Sequence, residues 1–187
     1  MEENFESLLA ENEKLLFTVR PEHFETLDKT NRNSIVMGVI IKAVVTAILL
    51  VLYLLTALNA GSVNVAVFIV ILAVAAYAIA NPFLVARRLR DKTLYGLTDK
   101  HILRSGSNAG AVPYDRIKHA VLRTDEDGHT TLLCGESTNL KPTKWRLEAD
   151  AAFINEMDNE EADRVILYAI PMNAELKAFL KEKLPLA

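Results

Sequence analysis

Charged residues are almost absent from one long part of this 187-residue chain, although they make up 24% of the whole sequence. Positions 35 to 85 contain a single charged side chain, Lys42. So uneven a distribution excludes a disordered chain, a collagen-like repeat and a single water-soluble globule. It predicts an integral membrane protein whose water-facing part is about one domain in size.

The residues on which common catalytic and metal sites depend are also scarce. The one cysteine, Cys134, excludes an intrachain disulfide and a multi-cysteine zinc site. The chain lacks the glycine-rich phosphate loop, the Gly-x-Ser-x-Gly nucleophile motif and the His-Glu-x-x-His zinc motif. We therefore predict a protein that is not an enzyme, with no cofactor and no metal site.

Two local patterns carry a weak chemical signal. Asp125-x-Asp127-Gly128 is similar to the opening of a calcium loop, but its closing glutamate would be Glu136, beyond a strand-like run. A hairpin turn is the preferred interpretation. His129 and Cys134 are five residues apart and would lie on opposite faces of one strand, which is poor geometry for a thiolate and its base.

Two apolar runs, positions 35–58 and 63–85, predict a transmembrane helical hairpin with a link of four small or polar residues. At about 1.5 Å per residue each run is long enough to cross a hydrocarbon core of about 30 Å. Asn81 and Pro82 predict a kink or an end of the second helix. Lys42 lies about two turns inside the first span, so we expect its side chain to reach toward the lipid headgroups.

Basic residues flank the two spans on one side. Lys29 and Arg32 precede the first span, and a denser basic run, Arg87, Arg88, Arg90 and Lys92, follows the second. The positive-inside rule then predicts that both termini are cytoplasmic. A role in setting the membrane topology is enough to explain the basic run. A more specific hypothesis is that the run also contacts anionic lipid headgroups.

The remaining parts, positions 1–34 and 86–187, are predicted to be cytoplasmic. The first is a leader whose strand-like run 15–19 and apolar Phe5, Leu8 and Leu9 would pack on the second. The second carries 16 acidic and 16 basic side chains, too balanced for a nucleic-acid-binding protein.

Within positions 86–187, the pattern predicts about six short antiparallel strands followed by two helices, an α+β arrangement. The strand-like runs are 93–97, 101–104, 111–112, 117–122, 130–133 and 145–147. A capping box, Asp158 with Glu161, predicts a helix over 162–169. A second apolar stripe, formed by Leu176, Phe179, Leu180 and Leu184, predicts the last helix.

Three motifs around the two spans together resemble the bacterial pleckstrin-homology-like (bPH) membrane proteins. They are the leader motif 13–21 (EKLLFTVRP), the hairpin motif 95–106 (YGLTDKHILRSG) and the strand-entry motif 112–117 (VPYDRI). The resemblance implies a PH-like antiparallel sheet or barrel, closed by a C-terminal helix. His101 departs from the motif, where the family usually has arginine. The residues expected to specify this fold are Tyr95, Leu97, Thr98, Asp99, Gly106, Pro113, Tyr114 and Ile117.

The resulting functional hypothesis is a multi-pass protein of the bacterial cytoplasmic (inner) membrane. It is expected to be a non-catalytic, membrane-anchored module for protein interaction or oligomerisation. Its expected partners are membrane lipids and either a second copy or another membrane protein, with no nucleic acid. Two alternatives remain: an accessory subunit of a transporter or membrane enzyme in which Lys42 or the Cys134 region carries the chemistry, and an anionic-lipid sensor that uses the basic run.

Overall fold

The computed structural model describes residues 5, 7–106, 108–151 and 164–186. They form an α+β structure with two antiparallel sheets and four α-helices within those ranges. In chain order the elements are β1 (Leu15–Val19), α1 (Lys29–Asn59), α2 (Val65–Lys92), β2 (Leu94–Thr98), β3 (His101–Ser105), β4 (Gly110–Pro113), β5 (Ala120–Thr124), β6 (Thr130–Gly135), α3 (Pro142–Ala151), β7 (Arg164–Leu167) and α4 (Ala174–Lys183).

Helices α1 and α2 pack along each other as a hairpin and are long and apolar enough to cross a membrane. The most apolar window of each helix has no buried residues. Both helices extend beyond the predicted runs, because α1 begins at Lys29 and α2 continues to Lys92. The prediction that α2 could end at Pro82 is therefore wrong: Pro82 lies inside the helix.

The strands form two separate sheets, so the alternative of a closed barrel is wrong. One sheet has the order β1-β2-β3-β4 and the other β5-β6-β7. A 3-10 helix, Tyr114–Arg116, follows β4 and leads the chain away from the first sheet. Strand β5 then pairs with β6 and makes a parallel bridge from Ala120 to Leu186, so in the described residues β4 and β5 do not pair.

Helix α4 covers a core to which both sheets contribute. Its Leu176 and Leu180, with the C-cap residue Leu184, share one cluster with Tyr95 and Leu97 of β2 and with side chains of the second sheet. The Tyr168 amide donates a 3.1 Å hydrogen bond to the Tyr95 hydroxyl, which joins the sheets directly. The predicted last helix is confirmed, because its apolar stripe at helical spacing faces this core.

The residues before α1 add strand β1 to the first sheet and cover its opposite face with Phe5. Strand β1 pairs with β2 over the predicted run 15–19, and Phe5 is fully buried with Leu94 and Leu103. Gly96 permits this contact, since a Cβ there would lie 3.2 Å from Phe5 Cε1.

The β2–β3 turn holds the leader through Glu13. The hydroxyl of Thr98 donates to the Glu13 carboxylate, which also lies 2.6 Å from Nδ1 of His101. Burial alone raises the pKa of Glu13, but the hydrogen bonds from Thr98 and the Ala10 amide outweigh it and lower that pKa. His101, which departs from the resemblance, is thus the partner of the leader's acidic residue.

Two elements differ in type from the prediction. Residues 145–147 were expected as a strand and lie in α3, where Trp145 and Ala149, four residues apart, pack on α2. Residues 164–167 were expected in a helix and form strand β7, because this β-branched run pairs with β6. The expected capping residues Asp158 and Glu161 lie outside the described residues.

Candidate functional site

The candidate site is the junction, defined here as α3 together with the ends of α1 and α2 that it contacts. Trp145 and Ala149 of α3 pack against Val85, Ala86 and Leu89 of α2 in one buried cluster. Apolar packing therefore holds α2 against the second sheet, since Leu133 and Ile166 belong to the same cluster.

Two aspartates cap the start of α1. Asp28 is the N-cap residue, and its Oδ1 accepts a 2.9 Å hydrogen bond from the Asn31 amide. Asp127, from the β5–β6 turn, accepts from the Lys29 amide at 3.1 Å, and its Oδ2 accepts from the amide and hydroxyl of Thr30. The turn that was distinguished above from a calcium loop thus binds a helix N-terminus.

Arg146 of α3 is the centre of the contacts to α1. Its guanidinium donates to Asp28 Oδ2, to the Thr26 carbonyl at 3.0 Å and to the Tyr168 hydroxyl at 2.9 Å. It also lies 4.4 Å from the centroid of the Phe24 ring, a cation–π distance. Both side chains of the Arg146–Asp28 pair are 5% exposed, so removing either would leave a buried charge.

Asp150, near the C-terminal end of α3, forms an ion pair with α2. Arg88 of α2 forms a bidentate pair with Asp150, with the Nη2–Oδ2 distance at 2.5 Å. Arg104 of β3 is fully buried, donates to the Ala149 carbonyl and lies 3.7 Å from Asp150. Asp150 therefore joins the hairpin to the first sheet.

The basic run 87–92 is consequently divided between two environments. Arg88 is committed to Asp150, whereas Arg87 is 74% exposed and pairs only loosely with Asp91 at 3.7 Å. Arg90 also pairs with Asp91. The backbone carbonyl oxygen of Lys92 is close to Gly106, 2.8 Å from where a Cβ would lie. Arg88 therefore pairs with a different carboxylate from Arg87 and Arg90.

Lys42 contacts the second helix of the hairpin. Its Nζ donates a 2.7 Å hydrogen bond to the Ala78 carbonyl. Pro82 has no N–H, so the carbonyl four residues earlier, that of Ala78, has no helical donor. Lys42 thus supplies the missing hydrogen bond, instead of extending only toward the end of the helix as the sequence suggested.

A cavity of about 160 Å³ lies in the junction, between α1, α2 and the first turns of α3. Two cationic residues, Lys42 and Arg146, belong to its lining. The other polar lining residues are Asn31, Ser34, Asn81 and Thr143, and the apolar lining includes Ile35, Val85 and Leu147.

One cluster of metal-ligand type lies beside the junction. Ligand atoms of Asp28, Asp125 and His129 come within 4.8 Å of one another. Their oxygens already accept hydrogen bonds: those of Asp28 from Asn31 and Arg146, and Oδ1 of Asp125 from the amides of Asp127 and His129. With the Arg146 charge also present, the cluster fits a turn-stabilising network better than a cation site.

Cys134 and His129 do not meet as a catalytic pair. Cys134 is fully buried in the core cluster, and burial strongly raises the pKa of its thiol. The Nδ1 atom of His129 lies 3.4 Å from the Asp125 carboxylate instead.

The residues expected to specify the fold lie in the first sheet or at its edges. Tyr95, Leu97, Tyr114 and Ile117 belong to the shared core, and the Tyr114 hydroxyl donates to the Thr98 carbonyl. The Thr98 hydroxyl accepts from the amides of Lys100 and His101 and closes the β2–β3 turn. The rest are Asp99, which accepts from the Lys14 amide, Pro113 in β4, and Gly106.

Sequence reasoning missed the junction residues Asp28, Asp127, Arg146 and Asp150. A usable signal existed for two of them, because Arg146 and Asp150 are four residues apart and share a helix face with each other. The prediction of a strand at 145–147 concealed that spacing. Comparison of the chain with known protein families, with curated proteins and with solved structures finds no match.

Proposed function

We propose that this protein is a non-catalytic module for protein interaction or oligomerisation, anchored in the bacterial inner membrane by the α1–α2 hairpin with both termini cytoplasmic. The observation that carries the proposal is the attachment of a two-sheet module to two long, unburied apolar helices. Exposed apolar surface of this extent is unfavourable in water and is matched by lipid.

The charge distribution supports the orientation. The loop that joins α1 to α2 has no charged residue, whereas Lys29, Arg87 and Arg90 lie where the helices meet the sheets. The positive-inside rule places such an end in the cytoplasm. The module would then lie against the inner leaflet, held by the ion pairs of the junction.

The edge of the first sheet supports the interaction role. Strand β1 is terminal in the order β1-β2-β3-β4, so one side of its backbone has no neighbouring strand in the described residues. Leu16 of β1 is 48% exposed, and a cavity of about 390 Å³ lies between Phe17, Val19 and the segment around Met172. An unpaired edge beside a recess with both apolar and polar lining suits addition of a strand from a partner or a second copy.

The PH-like assignment is part of the same proposal. Seven antiparallel strands in two sheets, with α4 over their shared core, support it. Helix α3 is inserted between β6 and β7 and holds the hairpin, which makes it the element that would adapt such a module to a membrane anchor.

The test is site-specific photo-crosslinking in native membranes, with the photoreactive amino acid at Leu16. The matched control position is Glu182, on an exposed face of α4. We expect a discrete crosslinked species from Leu16 but not from Glu182, and mass spectrometry would identify it as a second copy or another protein. A chain recovered from membranes as a monomer with no product at Leu16 would refute the interaction role.

Membrane anchoring is tested separately by carbonate extraction of the membrane fraction. The chain should stay in the pellet and enter the supernatant only with detergent. Recovery in the carbonate supernatant would refute the anchor, and with it the orientation.

A further inference from the structure

The junction cavity contains an uncompensated positive charge. Arg146 is matched by Asp28 in a buried pair, but Lys42 has no carboxylate within ion-pair distance among the described residues. The lining therefore carries a net charge of about +1 when the Arg146–Asp28 pair is counted as neutral. A cation in a region of low dielectric is unfavourable without an anionic partner, so the cavity favours a ligand with one negative charge.

Hydrogen-bond donors are also available in the cavity. The Lys42 ammonium has three N–H donors and gives one to Ala78. Arg146 lines the cavity, but its Nη1 and Nη2 atoms already donate to Thr26, Asp28 and Tyr168 and its Nε is buried, so the free donors come from Lys42. Thr143 lies in the first turn of the ten-residue helix α3, where the helix dipole attracts anions.

We propose that this cavity binds the phosphate group of an anionic membrane phospholipid. The inference rests on the proposed membrane anchoring of the hairpin. A phosphodiester carries one negative charge and several acceptor oxygens, which matches both the charge of the lining and its donors.

A lipid suits the cavity better than a free phosphate ion because part of the lining is apolar. Ile35, Val85 and Leu147 line the cavity, and Leu147 is 50% exposed. The exposed apolar surface of α1 begins beside it at Val36, so acyl chains could extend along the hairpin while the headgroup occupies the cavity. This site is separate from the basic run, none of whose side chains belongs to the cavity lining.

The experiment compares full-length protein in nanodiscs of phosphatidylcholine alone and of phosphatidylcholine with 20% phosphatidylglycerol. Native mass spectrometry after release from mixed nanodiscs counts the lipids retained. We expect the wild type to retain phosphatidylglycerol in preference to phosphatidylcholine, and Lys42→Met to reduce that preference about fivefold. Arg87→Gln, which removes an exposed cation, should change it by less than about twofold.

A second variant guards against misfolding of the Lys42 variant. Ser34→Leu adds bulk at the cavity and leaves both cations in place, so it should reduce lipid retention to a similar degree. The wild-type preference should also persist at 0.5 M NaCl, because a recessed charge is screened less than a surface charge.

Three results would overturn the proposal. One is equal retention of the two lipids by the wild type, and another is normal retention by both Lys42→Met and Ser34→Leu. The third would come from phosphatidylcholine nanodiscs to which millimolar inorganic phosphate is added. If the phosphate stabilised the wild type as much as phosphatidylglycerol does and displaced no lipid, the cavity would be assigned to a free anion. Failure of the chain to enter nanodiscs would instead refute the membrane anchor itself.

Discussion

Lys42 donates to the backbone oxygen that Pro82 leaves without a donor. The two residues are on different helices of the hairpin, and the bond from Nζ to the Ala78 carbonyl is 2.7 Å long. A proline inside an apolar helix normally leaves a carbonyl that must find another partner. The single charge in positions 35–85 therefore has a structural use within the hairpin.

This relationship predicts an energetic coupling between Lys42 and Pro82. In Pro82→Ala the new amide can donate to the Ala78 carbonyl, so Lys42→Met should destabilise that background less than the wild type, by about 1 kcal/mol. Reversible unfolding in mixed detergent micelles gives the four free energies. Ile41→Met controls for the introduction of methionine, and equal effects of Lys42→Met in both backgrounds would show that no coupling exists.

The cap formed by Asp127 predicts a loss of stability in Asp127→Ala of about 1 kcal/mol, because three donors at the start of α1 lose their acceptor. Chemical unfolding of the detergent-solubilised protein measures it. Glu126→Ala, at the exposed neighbouring position, is the control and should be neutral. A loss as large in Glu126→Ala would mean that the turn, and not the cap, is being perturbed.

The same residue predicts a pH dependence. Burial raises the pKa of Asp127, but the hydrogen bonds from Thr30 and Lys29 outweigh this and lower the pKa below its ordinary value. The stabilisation is therefore complete above the unfolded pKa, near 3.9, and is lost as the pH falls through the lower folded pKa. The difference in stability between wild type and Asp127→Ala should shrink on acidification; a difference that grows would contradict the cap.

The buried pair of Asp28 and Arg146 predicts a larger effect. Asn is as good an N-cap residue as Asp, so Asp28→Asn keeps the cap of α1 and removes only the charge opposite Arg146. We expect a loss of about 3 kcal/mol in the free energy of unfolding. Asp91→Asn removes a carboxylate from exposed pairs and should cost no more than about 1 kcal/mol. Similar losses in the two variants would argue against a buried charge.

Gly106 predicts a steric effect where α2 meets the first sheet. It has φ +111°, and a Cβ there would lie 2.8 Å from the Lys92 carbonyl oxygen. Gly128 has φ +89° with open space around it, so Gly128→Ala isolates the conformational strain, about 1 kcal/mol. Gly106→Ala should lose about 3 kcal/mol or more, measured by thermal unfolding, since the backbone must also move. Equal losses would show that the contact is accommodated.

Composition was sufficient to predict the hairpin, because an apolar run long enough to cross a bilayer is rare in a water-soluble domain. Short runs such as 15–19 and 101–104 were sufficient for strands, since β-branched and aromatic residues fit a half-buried sheet. Residues 164–167 were misassigned because a strand-like run was taken as the face of a helix, and only pairing with β6 decides between the two.

The long-range pairs of the junction could not have been predicted from sequence, although the helical spacing of Arg146 and Asp150 was available. Asp28 and Arg146 are 118 positions apart, and each alone looks like an ordinary surface charge. Asp127 was interpreted as part of a turn. Its role as a cap of α1 depends on the position of the start of that helix relative to the turn. Spacing rules relate residues only a few positions apart, so they cannot predict contacts between residues this distant in the chain.

Helix α2 passes into β2 through one residue, Thr93, which is 2% exposed. This connection contains no flexible linker, so the sheet cannot rotate or move away from the hairpin as a domain on a flexible linker would. Each added helical residue would turn the sheet by about 100° around the α2 axis. The angle at which the hairpin sits in its surroundings therefore dictates which flank of the sheet faces a neighbour.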